Sequence, residues 1–163
     1  WAARWLFAPY QAGAALNAWL WTRRLPASVE VLPGVRFGRI PTHAEWEAAG
    51  RPRLVSLSAE LQLPAVQGAR CLPLLDLVAP PPLKLRRAAH LIEGQRRSGG
   101  TVWVCCALGF SRSAATVVAW LRLHGGAGTL AQAEAQVRQA RPQIVLGTVW
   151  KQALEKTSES IAP

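Results

Sequence analysis

The sequence predicts an α/β domain with a mainly parallel central sheet flanked by helices. Two observations carry that expectation. Short apolar runs (Arg53 to Leu57, Arg70 to Leu75, Thr101 to Cys105) alternate with longer stretches of helical periodicity. Strands that are apolar on both faces belong to parallel sheets covered by helices. The size agrees: 163 residues, 50% of them hydrophobic, suit one compact domain with a real core.

Each element has its own signal. Residues 1–25 form an apolar N-terminal helical segment ending at Arg23-Arg24, and residues 26–163 form the main domain. Val29 to Gly38 alternates around Pro33-Gly34, the pattern of a hairpin or bent strand. Thr42-His43-Ala44-Glu45 fits a capping box and opens a short helix that stops at Gly50. Pro80-Pro81-Pro82 breaks the chain after the Arg70 run. Leu83, Arg87, His90, Leu91 and Ile92 then mark a helical face as far as Arg97, closed by Ser98-Gly99-Gly100. An apolar helix is expected from about Ser111 to His124. A second capping box, Thr129 to Gln132, opens a helix that ends at Arg141-Pro142, and a last helix covers about Gly147 to Lys156.

The N-terminal segment supports two readings. Trp5 to Trp21 carries no charge, but Pro9, Gln11, Gly13 and Asn17 interrupt it, and it falls short of a membrane span. It lacks the layout of a signal peptide. Trp1, Trp5, Tyr10, Trp19 and Trp21 are residue types enriched where an apolar phase meets water. The segment either packs on the core as short helices or lies on, or leads out of, a membrane. The absence of methionine is the mark of a processed chain or of a piece of a longer one, with room for a membrane-spanning portion in that parent.

Charge narrows the partner classes. Nineteen Lys+Arg against nine Asp+Glu leave a formal charge of +10, which favours phosphorylated substrates and anionic surfaces. The arginines fall in scattered pairs (Arg23-Arg24, Arg86-Arg87, Arg96-Arg97) without a basic run or aromatic-studded strand, so nucleic acid is not the expected partner. Three cysteines do not form a disulfide framework and point to a reducing compartment. Cys71 is expected to be a buried structural residue, or else a partner that condenses with an oxidised Cys106. His43, His90 and His124 lack metal-ligand spacing, and no metal or cofactor is expected.

The chemistry concentrates in Val102-Trp-Val-Cys-Cys-Ala-Leu-Gly-Phe-Ser-Arg-Ser-Ala-Ala-Thr. Here a strand ends in a cysteine, five loop residues follow, and an arginine opens a helix. Such a turn aims successive backbone N–H groups and the positive end of a helix at one point, a nest for a tetrahedral anion. The same field favours a thiolate over a thiol. Gly109 supplies the backbone freedom that the loop demands. Arg112 offers a planar fork for two phosphate oxygens. Ser113 is placed to donate to the sulfur as it leaves. A departing alkoxide needs an acid. Asp76, the only aspartate of the chain, stands at the end of the Arg70 strand before a proline-rich loop, where strand ends of a parallel sheet converge.

These residues resemble the Cys-x5-Arg-Ser/Thr signature of the protein tyrosine phosphatase superfamily, and its dual-specificity group in particular. "LPGVRFGRIP" (Leu32 to Pro41) is similar to that group's opening strand and "LPLLD" (Leu72 to Asp76) to its general-acid segment. "RQARPQI" with Trp150 and Leu154 is similar to its closing helix. The resemblance implies that Cys106 attacks phosphorus, and that Arg112 and the amides of Ala107, Leu108, Gly109, Phe110, Ser111 and Arg112 hold the phosphate. It further implies that Asp76 serves as acid and base and that Ser113 assists the second step. It departs from the pattern at Cys105, where the family carries a histidine that supports loop and thiolate. The loop interior also lacks the basic residues of enzymes acting on highly phosphorylated inositides.

"ARWLFAPYQAGAALNAWL" (Ala3 to Leu20) is similar to the leading segment of mitochondrial phosphatidylglycerophosphate phosphatases and their bacterial relatives, some of which follow membrane helices. With the +10 charge and the Trp-rich N-terminus, the expected substrate is a phospholipid headgroup at a membrane, and the expected location the cytoplasmic side of that membrane. A phosphotyrosine or phosphoserine protein is the alternative substrate, and a non-catalytic phospho-ligand binding module the alternative class. Rhodanese-type loops are typically one residue shorter and need no Asp76. Low-molecular-weight phosphatases place the loop before the acid, the reverse of this order.

Overall fold

The computed structural model describes residues 12–14, 16–63, 66, 68–76, 78 and 80–159. Its centre is a five-stranded sheet in the order β1-β2-β5-β3-β4. The strands are β1 (Ser28–Leu32), β2 (Val35–Arg39), β3 (Arg53–Ser58), β4 (Arg70–Leu74) and β5 (Val102–Cys106). The β1–β2 pair is the antiparallel hairpin expected around Pro33-Gly34, with Gly34 at φ 83°. The other pairs, β2–β5, β5–β3 and β3–β4, are parallel. The mainly parallel sheet is therefore as expected, with β5 at its middle.

Helical residues 16–22 (α1) precede the sheet. The later helices are α2 (His43–Ala48), α3 (Pro82–Arg97), α4 (Arg112–Leu123), α5 (Leu130–Ala140) and α6 (Thr148–Glu159). Both capping boxes form. Thr42 accepts from Glu45 N–H while Glu45 reaches back to the Thr42 amide, and Thr129 and Gln132 do the same for α5. Helix α3 starts on a proline, where no N–H is needed.

The two faces of the sheet are unequal. One is covered by α3, α4, α5 and α6, which bury Ile92, Val117, Val118, Trp120, Val137 and Leu154 against Val35, Phe37, Val55, Leu57 and Val104. The other holds a small cluster of Leu54, Trp103 and Cys105 under Trp46 and Leu63. Because side chains alternate along a strand, adjacent residues of β5 lie in different clusters: Cys106 in the first and Cys105 in the second.

Two expectations are corrected. The buried stripe of α3 runs through Leu85, Ala88, Ala89, Ile92 and Glu93, while Leu83, Arg87 and His90 are exposed. The alanines let α3 approach α4 closely, and buried Glu93 accepts from Trp120 Nε1 at 3.0 Å and from Arg96 and Arg97. A stripe of small residues around a carboxylate is invisible to a search for large apolar periodicity. Cys71 is exposed, not buried, because β4 is an edge strand. It shares a row with Ser56 and Cys105 on parallel strands, on the side away from Cys106. Neither Cys71 nor Cys105 is therefore disposed to cap an oxidised Cys106.

Candidate active site

The parallel strands all end at one edge of the sheet, and each end carries a polar residue toward the same place. Arg39 ends β2 and pairs with Cys106 at the end of β5. Glu60 follows β3, and Asp76 follows β4. This is the crevice beyond the carboxyl ends of strands, where open α/β sheets bind ligands.

Between Cys106 and α4 the chain makes a tight loop held from behind. Gly109 has φ 75°, a conformation that L side chains adopt rarely. A Cβ there would overlap the carbonyl carbon of Gly38 and come within 2.6 Å of Arg39 N. The loop thus lies directly on the β2 backbone. Ile40 N–H donates to the Cys106 carbonyl at 2.9 Å, and Val145 N–H to the Phe110 carbonyl at 2.8 Å. Gly109 N–H donates to Cys106 Sγ at 3.2 Å, and Ser113 Oγ lies 3.4 Å from the same sulfur. The sulfur is thus met by a backbone donor, a hydroxyl and the N-terminus of α4, three features that stabilise negative charge.

Arg112, 1% exposed, opens α4. Its Nη1 and Nη2 donate to Glu60 at 2.7 and 2.5 Å, and Nη1 also to the Leu74 carbonyl at 3.3 Å. Its Nε, buried and without a hydrogen-bond partner, lies 3.4 Å from Asp76 Oδ1. Burial opposes the guanidinium charge, but Glu60, Cys106 and Asp76 more than offset it. Burial likewise opposes ionisation of Glu60, yet the Arg112 hydrogen bonds and charge hold its carboxyl down to about 2. Asp76 is half exposed at the rim.

The cavity in front of this group measures about 830 Å³. Ala107 and Leu108 line it from the loop, Glu60 and Asp76 from the strand ends, Leu75 and Val78 beyond β4, and Ala14, Asn17 and Ala18 from the N-terminal segment. A cleft of about 490 Å³ adjoins it at Ala18 and Ala107, lined by Thr22, Arg23, Arg39 and Gln62. These volumes suit small-molecule ligands.

The structure therefore brings together Cys106, Arg112, Ser113, Asp76 and the loop from Ala107 to Ser111. Sequence reasoning missed Glu60. It stands just past an apolar strand, as Asp76 does, so the rule that pointed to Asp76 also applies to it. Cys105 has a different fate: burial above all, and then the charge of Cys106, push its thiol up against the opposing hydrogen bond from Ser56. It is a neutral thiol in an apolar cluster.

A family model described as "Dual specificity phosphatase, catalytic domain" matches residues 63–159. The chain belongs to this family. The dual-specificity phosphatases are cysteine-based phosphoester hydrolases, and this chain is a phosphatase of that group. Among solved structures, Tk-PTP in its active form shares 29% identity at a TM-score of 0.72, covering 83% of this chain and 99% of that one. Human DUSP28 shares 28% at 0.74, covering 84% and 96%. PTPMT1 shares 20% at 0.70, covering 82% and 95%, a likeness of fold alone. No curated protein sequence matches the chain.

Proposed function

We propose that this phosphatase removes the terminal phosphate of a phospholipid headgroup at a membrane surface, through a phosphocysteine on Cys106. In the first step the Cys106 thiolate attacks phosphorus. The ester P–O bond breaks, its electron pair leaves with the oxygen, and Asp76 protonates that oxygen. Arg112 and the loop amides hold the other phosphate oxygens as charge shifts between them. In the second step water attacks phosphorus and gives its proton to Asp76. The S–P bond breaks, the pair returns to sulfur, and Ser113 donates to the thiolate as it leaves.

The observation that favours a lipid is the distribution of exposed apolar side chains. Leu16, Trp19, Leu20 and Trp21 on α1, with Leu75 and Val78 beyond β4, are all at least half exposed, and both segments reach the cavity, α1 through Asn17 and Ala18 and the other through Leu75 and Val78. Helix α1 turns Ala18 and Thr22 inward and its large side chains outward. Apolar side chains at the mouth of a site, beside Arg23-Arg24 on a chain of +10 charge, suit an anionic lipid surface. Among the described residues no helix is long and apolar enough to cross a membrane.

The test compares a phosphomonoester lipid in anionic vesicles with a water-soluble aryl phosphate. Leu20→Asp with Trp21→Asp should cut vesicle binding and vesicle turnover about tenfold or more while sparing the aryl phosphate. Equal turnover of vesicle lipid by parent and variant, insensitive to salt, would instead favour a phosphoprotein substrate.

A further inference from the structure

The family's histidine is absent at position 105, and Cys105 turns its neutral thiol to the far face of the sheet. A different group stands behind the loop. Arg141 follows α5 in extended conformation, φ −143° and ψ 92°, and Pro142 prevents the helix from continuing. Its side chain folds inward until the residue is 2% exposed. Nη1 donates to the Pro26 carbonyl at 3.0 Å. Nε and Nη2 are buried without a hydrogen-bond partner. The guanidinium carbon lies 5.3 Å from the ring centroid of Phe110, inside the loop. A few residues on, Val145 holds the Phe110 carbonyl. The chain from Arg141 to Val145 thus backs the loop with a charge and a hydrogen bond.

A buried guanidinium lacking a carboxylate is expensive to desolvate. Among the described residues no ion pair reaches Arg141, whereas Arg39 is paired with Glu45 and Arg112 with Glu60. Burial pushes the guanidinium down. Of the charges that act on Arg141, Cys106 favours the guanidinium and Arg39 opposes it, and burial outweighs both.

We infer that Arg141 is a positioning residue that supplies, from behind the loop, the fixed positive charge that favours the Cys106 thiolate and holds Phe110 in place. The inference rests on Cys106 as nucleophile. Ser113 and the Gly109 amide contact the sulfur, Arg112 acts on it by charge, and Arg39, on β2, stands in register with Cys106. Cys105 adjoins it in β5, and Glu60 and Asp76 act on it through Arg112. None of these replaces Arg141, because Arg112 and Arg39 are each neutralised by a carboxylate.

The experiment uses the full chain and three variants: Arg141→Met, Arg141→Lys and Cys106→Ser. Inactivation by iodoacetamide and kcat/KM for an aryl phosphate are both followed against pH. In Arg141→Met the midpoint of the alkylation profile should rise by about one pH unit, with the acid limb of kcat/KM moving alongside it. Arg141→Lys should keep the parent midpoint. Arg141→Gln removes the charge yet keeps a donor for Pro26, and gives the same reading if the methionine variant does not fold. A lowered melting temperature with an unmoved midpoint in the neutral variants would overturn the inference, as would equal shifts in lysine and methionine variants. Cys106→Ser separates the two claims. If it retains activity, the nucleophile assignment fails. If it is inactive while the Arg141 profiles are unmoved, only the role of Arg141 fails.

Discussion

Cys105 and Cys106 are consecutive residues of one strand, and their surroundings have little in common. Cys106 faces a backbone N–H, a serine hydroxyl and a helix N-terminus. Cys105 faces Leu54 and Trp103, and burial keeps it protonated. The alternation of the β-strand makes that division, which shows that reactivity here follows from placement rather than residue type.

The largest effect expected from this contrast is on the nucleophile. Cys106→Ser should lower aryl phosphate turnover by roughly a thousandfold or more, while Cys105→Ser should remain within about threefold, since a buried cysteine behaves as a small hydrophobe. Comparable losses in both would break the contrast. Iodoacetamide at neutral pH should label Cys71 and Cys106 in the native protein and reach Cys105 only after unfolding, as peptide mapping would reveal.

Gly109→Ala follows. The added methyl meets the β2 backbone, and a displacement of the loop by about 1 Å should cost around a hundredfold in kcat. Gly94→Ala on α3 is the control, because a Cβ there meets nothing within 4 Å. It should raise stability by about 0.5–1 kcal/mol, seen as a higher melting temperature with unchanged kcat.

Asp76→Asn should slow an alkyl phosphate by about a hundredfold and an aryl phosphate with a good leaving group by under about tenfold. Uniform slowing would remove Asp76 from the role of acid.

Glu60 yields the smallest effect, on stability against pH. Its carboxyl is depressed to about 2 in the folded state, against about 4.3 in an unfolded chain. The corresponding stability is present above the unfolded value and is lost as pH falls from about 4.5 toward 2. Glu60→Gln should flatten the fall in melting temperature over that window by a few degrees. A parallel curve for parent and variant would show that the Arg112 pair contributes nothing to acid stability.

Much of this arrangement is legible in local spacing. The capping boxes at Thr42 and Thr129, the apolar strands and the run from Cys106 to Ser113 encode their geometry within a few residues of themselves. Asp76 is legible because the chain holds a single aspartate. What escapes is long-range. Glu60 and Arg112 are 52 residues apart, and Arg141 meets Pro26 across 115. The phase of α3 escapes because alanines and a buried carboxylate line it, and the exposure of Cys71 because a strand's place at the edge depends on the order of the whole sheet.

The placement of α1 has a consequence for how the domain can diversify. The groups that attack and hold phosphorus occupy one continuous piece of chain, β5 through the first turn of α4, clamped to β2 beneath it. The cavity walls come from separate pieces: α1, the turn after β3 and the segment after β4. Apart from Glu60 and Asp76, which touch Arg112, substitutions in those walls can redraw which molecules enter without moving the sulfur, the arginine or the loop between them. Turnover and substrate choice are thus separately heritable properties of this chain.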